Sequence, residues 1–388
     1  IKEGGALSVM NAYQDFDGEA PAASHWLLTE ILREAWGFNG IVVADYGAVS
    51  FLRYFHYVAE DRQTAAAMAL KAGLDVELPN PVEFPDGLKD ALEAGIISLS
   101  DIDQAVTRVL TMKFRLGLFE APYVDTGSIV LDLPEEQALA KKIAEKSITL
   151  LSNNGVLPLS KSIERIALIG PNADNMMALF GNYSFENHVV STHFPDEAEK
   201  VVSALTVRDA LCQVMGENRV VYAKGCEIMD EDTSAISEAV NIAKNAEVAV
   251  VVVGDKAGHF RLGTVGEGTD SPVLSLPGKQ EELIHQVIAT GTPTVVVLLN
   301  GRPFAIPKLA EKAAAIVETW FPGQEGAGVI VDTLFGNINP GGKTTVTFSQ
   351  GGGVQPVVYN TKRMAKGWPE LPEFEAVYPF GHGLSYTQ

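Results

Sequence analysis

The chain has 388 residues, 46% of them apolar, and a formal net charge of −20. That length can bury a sizeable core and suits two domains. The acidic balance excludes a nucleic-acid face and disfavours anionic lipid surfaces and polyanionic substrates, which leaves a neutral ligand as the best fit. No apolar run approaches the roughly 18 to 20 residues of a membrane span, so no membrane role is expected.

The first part reads as βα units. "ALSVMNAY" is a strand, and "SHWLLTEILREAWGF" an amphipathic helix with Ser24 as N-cap and Leu27, Leu28, Ile31, Leu32 and Ala35 on one face. "GIVVAD" is the next strand, "EDRQTAAAMALKAG" a helix ended by Gly73, and "LDVELP" a strand closed by Pro79. A helix over "LSDIDQAVTRVLTMKFRLGLF" follows. Strands alternating with helices imply a parallel sheet. Three such strands cannot close a barrel, so in a barrel most of the strands are expected upstream of Ile1.

"APYVDTGSIVLDLP" is rich in turn residues and reads as a linker. A helix over "PEEQALAKKIAEKSITLLSN" then leads to the Asn154-Gly155 turn. Beyond it come the strands "RIALIG", "RVVYAKG", "VAVVVVGD", "TVVVLLNG" and "AAIVETW", interleaved with helices such as "TSAISEAVNIAKNA" and "PGKQEELIHQVIATG". The expected division is the C-terminal part of a barrel over residues 1–120, a linker and connecting helix over 121–160, and an α/β sandwich over 161–388.

Several chemistries find no support. The seven histidines are scattered without HExxH, and there is no CxxC, so neither a metal nor a cofactor is expected. Cys212 and Cys226 read as free buried thiols. "IALIGPNAD" mimics a phosphate loop, but Pro171 lacks the amide N–H of such a cradle, "GTVGEG" is not GxGxxG, and no GxSxG elbow occurs.

Carboxylates remain. Asp45 ends a strand, where it either caps the next segment or stands as a reactive group at the C-terminal edge of a parallel sheet. Glu267 lies between Gly266 and Gly268 in the long turn-rich segment "GHFRLGTVGEGTDSPVLSLPG". It is either an exposed loop acid or one that must swing or approach a ligand closely. Asp75 and Glu77, in "LDVELP", are expected to bond backbone or a basic neighbour rather than to do chemistry.

"VMNAYQDFDGEAP", "LLTEILREAWGFNGIVVADYGAV", "AAAMALKAGLDVELP", "AVTRVLTMKFRLGLFEAPYVD", "EKSITLLSNNGVLPL", "IALIGPNAD", "GEGTDSPVLSLPGKQEELI" and "VYPFGHGLSYT" together resemble glycoside hydrolase family 3. The match follows the family's order from the first residues to the last. Members of the family include β-glucosidases and β-xylosidases. The resemblance implies an α/β chain: the C-terminal part of a (β/α)8-type barrel followed by an α/β sandwich domain, with the active site between the two. It also implies a retaining exo-acting β-glycosidase, β-glucosidase-like, that hydrolyses terminal β-linked sugars.

By the same resemblance Asp45 in "VVADYG" matches the nucleophile and Glu267 in "GEGTD" the general acid/base. Met10 and Tyr13 in "VMNAY" match positions lining the sugar pocket. Tyr46 replaces the usual Trp and either packs on a sugar face or serves barrel packing. The expected partners are a neutral β-linked oligosaccharide or glycoside, the N-terminal barrel portion as a separate chain or missing segment, and a second copy of the chain. Similar enzymes are often exported, so the resemblance is compatible with a secreted or periplasmic address, while the sequence itself leaves the location unknown.

The chain departs from the family pattern in four ways. It has no counterpart of the upstream strands bearing a Lys-His pair and an acid for the sugar hydroxyls. Trp gives way to Tyr46, and Ser271 rather than Arg follows Asp270. It stops at Gln388 without a fibronectin-like domain. The alternatives are a β-xylosidase or other exo-glycosidase of the family, and a non-catalytic or incomplete chain active only with a complementing N-terminal polypeptide.

Overall fold

The β-branched runs of the sequence become strands in two separate sheets. A computed structural model describes residues 1–194, 203–260, 262–351, 359–360 and 376–387. It divides into two units, Ile1–Val130 and Leu131–Gln388.

In the first unit β1 (Ser8–Met10) and β2 (Ile41–Val43) pair in parallel, with Met10 opposite Val43. Helix α1 (Trp26–Ala35) connects them and buries Leu28 and Leu32. Ser24 Oγ accepts from Leu27 N at 3.2 Å, satisfying one of the free amides at the helix start. The helix is wound wide, in the π form, along its length and closes with Trp36 N donating to the Ile31 carbonyl five residues back. Helix α2 (Ala48–Tyr54) follows β2. Helix α3 (Arg62–Ala72) starts on Asp61, which accepts from Thr64 N at 2.8 Å, and ends on Gly73 at φ 111°. Helices α4 (Phe84–Glu93) and α5 (Leu99–Arg115) complete the unit.

"LDVELP" is not a ladder strand among the described residues; it makes one parallel bridge, Val43 with Val76. The reason lies one residue earlier. The Val42 N–H, which a neighbouring strand's carbonyl would otherwise receive, donates to the Asp75 carboxylate at 2.8 Å.

The second unit begins with α6 (Pro134–Ser147) and β3 (Thr149–Asn153). The connecting helix expected to run to the Asn-Gly turn therefore stops early. Its last residues, beginning with β-branched Ile148 and Thr149, turn extended and become a sheet edge. Next come β4 (Ile166–Ile169), α7 (Val207–Met215), β5 (Val220–Ala223), α8 (Ile236–Lys244) and β6 (Val248–Gly254). The unit closes with α9 (Gln280–Ile288), β7 (Thr294–Leu299), α10 (Pro307–Lys312), β8 (Ala315–Glu318) and α11 (Gly326–Leu334).

These six strands form one sheet in the order β3-β8-β7-β6-β4-β5, parallel except for β3 against β8. Both faces are covered, which is why β6 reads as an unbroken apolar run. Val248, Val250 and Val252 pack in one core with residues of α7 and α11, while Ala249, Val251 and Val253 pack in the other with residues of α8 and α9. From β4 the chain leaves by α7 to β5 on one side; from β6 it leaves by α9 to β7 on the other. The loops after β4 and β6 thus part at the C-terminal edge of the sheet, where α/β folds form their ligand crevice.

Candidate functional site

Of the two carboxylates singled out in the sequence, one in each unit, Asp45 sits just past the C-terminal end of a parallel strand and Glu267 on the long connection that follows one. In the first unit Asp45 follows β2, and its neighbours are held by further backbone bonds: Ala44 N donates to Val76 O at 2.8 Å and Gly47 N to Leu78 O at 2.9 Å. Asp45 is half-buried. Its Oδ1 lies 2.8 Å from the Tyr13 hydroxyl and accepts from Tyr46 N at 2.7 Å. The same hydroxyl is 2.7 Å from Tyr46 O, so it sits in a fork between the acid and the next carbonyl. Among the described residues no hydrogen bond reaches Oδ2. The Tyr13 ring rests on Phe51 of α2, centroids 5.2 Å apart.

Three of the expected residues, Tyr13, Asp45 and Tyr46, therefore meet directly. Met10 ends the adjacent strand, 57% exposed, and Tyr46 is 62% exposed, so both present apolar surface beside the acid.

The rivals on the neighbouring segment are engaged elsewhere, as expected. Asp75 has a fully buried side chain bound by Arg33 Nη2 at 2.8 Å and Arg108 Nε at 2.6 Å. Glu77 accepts from Val82 N, Glu83 N and Phe84 N at 2.8–3.0 Å, satisfying the open amides at the start of α4.

In the second unit Glu267 is exposed on the β6–α9 connection. The length of that connection suggests a loose loop, yet it is tied at several points. Ala257 and Val265 form a parallel bridge, and Phe260 N donates to Glu267 O at 2.8 Å. The Arg302 guanidinium bonds the carbonyls of Thr264 and, at 3.3 Å, Thr269, one on each side of the acid. Gly266, at φ 137°, is obligatory: a Cβ there would lie 2.1 Å from Gly258 O.

The loop rests on buried acids that ended strands in the sequence without attracting notice. Asp255, just past β6, accepts from Thr264 Oγ1 at 2.7 Å and Gly301 N at 3.1 Å; burial raises its pKa against those bonds. Glu318, the last residue of β8, is pushed up to about 8 by burial, although Trp320 N and Asn300 Nδ2 donate to it at 2.8 and 3.2 Å. Beside them, at the crevice between the β4 and β6 loops, a cavity of about 410 Å³ is lined by Asn175, Met177, Asn187, Asp255, Gly258 and His259 among others.

No sequence motif marks the residues that touch Glu267. Tyr183, in the β4–α7 connection, donates its hydroxyl to the Glu267 carboxylate. Among the described residues no group of three or more His, Cys, Asp or Glu side chains could hold a metal ion, and no helix is long and apolar enough to cross a membrane. Cys226 is buried and its thiol pushed up to about 11 by that burial; both cysteines are free.

A barrel-type unit with an acid at a strand's C-terminal rim, and a doubly covered parallel sheet with another on the connection after β6, make this an α/β chain of two units. Residues 1–112 match the glycosyl hydrolase family 3 N terminal domain and residues 148–386 the glycosyl hydrolase family 3 C-terminal domain, and the chain belongs to glycosyl hydrolase family 3. The first unit is accordingly the C-terminal part of a (β/α)8-type barrel and the second the α/β sandwich.

A β-xylosidase of Formosa agariphila is 38% identical over all of this chain and 54% of its own length. A periplasmic β-glucosidase of Salmonella typhimurium is 34% identical over 99% of this chain and 53% of its own. A solved β-glucosidase involved in saponin metabolism from intestinal bacteria superposes with a TM-score of 0.90 at 30% identity, covering all of this chain and 56% of its own. The chain spans about half the length of the curated relatives it matches.

Proposed function

We propose that the chain forms part of a retaining, exo-acting β-glycosidase of β-glucosidase type, with Asp45 as nucleophile and Glu267 as acid/base. The single observation that supports this most is the environment of Asp45. Both local donors, Tyr13 and the Tyr46 amide, converge on Oδ1, which fixes the plane of the carboxylate. Oδ2 is then the oxygen left to attack.

In the first step Oδ2 bonds to the anomeric carbon as the glycosidic C–O bond breaks, and Glu267 delivers its proton to the departing oxygen. In the second, Glu267 takes a proton from water, whose oxygen displaces Asp45 from that carbon. The exposed Tyr46 and Met10 offer ring and thioether surface to the apolar face of a pyranose. Because the relatives are about twice as long, the proposal includes further barrel polypeptide, carried on the same or a separate chain.

A 2-deoxy-2-fluoro glucoside with an activated leaving group tests the assignment in the complete enzyme. A stable glycosyl ester on Asp45, found by peptide mass analysis, is expected; labelling at Asp75 or Glu77 refutes it. The second reading, a β-xylosidase, has in its favour the 38% identity to a protein of that name. Parallel hydrolysis of aryl glucosides and aryl xylosides separates the two.

A further inference from the structure

Glu267 is gripped twice by one short segment of the β4–α7 connection. The Tyr183 hydroxyl donates to its carboxylate. Next to it, the Asn182 amide satisfies its neighbours in one orientation: the nitrogen donates to Gly258 O at 3.0 Å and His259 Nδ1 at 3.3 Å, and the oxygen accepts from Glu267 N at 3.3 Å. Both ends of the acid, backbone and carboxyl, are thus referred to two consecutive residues.

That segment is itself fixed. Asn187 Nδ2 donates to Phe180 O at 2.7 Å and Gly181 O at 3.2 Å, closing the turn that carries Asn182 and Tyr183. The Tyr183 ring stacks on His188 and meets the edge of His259, each with centroids 5.2 Å away. His188 Nδ1 and His259 Nε2 are 2.8 Å apart, so the two imidazoles brace each other against the ring. Gly266 supplies independent support, since a Cβ there would sit 2.6 Å from the Asn182 side-chain amide. The glycine before the acid is what admits the asparagine.

We propose that Asn182 and Tyr183 are positioning residues for Glu267, the tyrosine setting the direction of its carboxyl and the asparagine the place of its backbone. The inference rests on the reading of Glu267 as acid/base. Its consequence is selective: protonation matters when the leaving group is a poor one and hardly at all when the leaving group departs unaided. A misdirected acid should therefore harm alkyl glycosides and spare dinitrophenyl glycosides.

The experiment measures kcat/KM of the complete enzyme on a methyl or alkyl glycoside and on the 2,4-dinitrophenyl glycoside of the same sugar. The variants are Tyr183→Phe, which keeps the ring between the two histidines, Asn182→Ala, Asn182→Asp, which keeps an acceptor oxygen, and Glu267→Gln as reference. The expected result for Tyr183→Phe and Asn182→Ala is a loss of about 10²-fold on the alkyl substrate against less than about fivefold on the dinitrophenyl one. Asn182→Asp should recover part of that loss.

If Glu267→Gln shows the split and Tyr183→Phe loses equally on both substrates or not at all, the positioning inference is overturned and the acid/base reading stands. If Glu267→Gln itself shows no split, the acid/base reading falls and the inference with it.

Discussion

Asp75 ties three elements of the first unit together, and Asp75→Asn is the sharpest test of how that unit holds together. One oxygen receives Val42 N and Arg33 Nη2, both at 2.8 Å, and the other receives Arg108 Nε at 2.6 Å. The three donors come from β2, α1 and α5, so a single carboxylate joins three elements. The site is costly to keep: burial pulls the pKa of Arg33 down, Asp75 pulls it back up, and Arg108 lowers it further.

Asparagine retains one acceptor oxygen for Val42 and Arg33, but turns an N–H₂ toward the Arg108 N–H and leaves two buried or half-buried guanidinium groups without their counter-charge. Removing one partner of a buried ion pair costs about 3–5 kcal/mol. Against the typical 5–15 kcal/mol of a whole domain, that is about a fifth of the total or more.

At about 1.4 kcal/mol per tenfold, amides whose exchange requires opening of this unit should exchange about 10²- to 10³-fold faster. Hydrogen exchange read by mass spectrometry localises the effect: peptides over Ile41–Val43 should lose protection while those over Val248–Gly254 keep theirs. Adding Arg108→Met to Asp75→Asn should cost less than the two changes summed, because the second removes a charge already stranded. Unchanged exchange across β2 in Asp75→Asn, with an unchanged melting temperature, refutes the network argument.

Two further outcomes are expected. Glu318 has a folded-state pKa of about 8 against 4.5 as its ordinary value, so between those pH values the unfolded chain gives up a proton that the folded chain keeps. Stability should be full below about pH 4.5, fall by several kcal/mol as pH rises to about 8, and level off above it. Glu318→Gln should flatten that slope in urea denaturation at a series of pH values, and an equally steep slope in the variant counts against burial as the cause. Gly266→Ala should displace the Glu267 loop, since the new methyl collides with Gly258 O and the Asn182 side-chain amide. A fall of roughly 10²-fold in kcat/KM on alkyl glycosides, together with some loss of melting temperature because the methyl meets backbone at a positive φ, is the expected result; full activity would show that the loop tolerates the shift.

What the sequence displayed was whatever depends on neighbours along the chain. The unbroken apolar run of β6, the Gly73 stop of α3 and the acid at the end of β2 are local patterns, and each is found in place. The failures share a cause. "LDVELP" alternates like a strand, but pairing was decided by the Asp75 side chain, 33 residues away from Val42 in sequence. The helix over "PEEQALAKKIAEKSITLLSN" has good formers up to Ser147; the change to strand depends on β8, which Thr149–Asn153 pairs across more than 160 residues. Helix α4 opens on Phe84-Pro85 and contains Gly87, and its start is stabilised by Glu77 from outside. Tyr183 and Asn182 had no motif to mark them, because their significance lies in a contact with a loop 84 residues on.

The Glu267 loop shows why such contacts outweigh local propensity. Its glycines suggested an acid free to swing, and length alone suggested mobility. In the fold those glycines serve close approach instead: Gly266 fits under Gly258 O, and a Cβ on Gly268 would meet Phe260 at 2.7 Å. The Arg302 guanidinium closes the loop across both flanks of the acid, and the buried Asp255 carboxylate fixes Thr264 on the near side. A carboxyl that must deliver a proton along one direction gains from being aimed before the substrate arrives, since dipoles already in place need no reorganisation during the reaction. The topology provides the means. By parting the connections after β4 and β6 at one edge, the sheet lets one loop carry the acid and the other carry the groups that aim it, so neither segment could have revealed the arrangement alone.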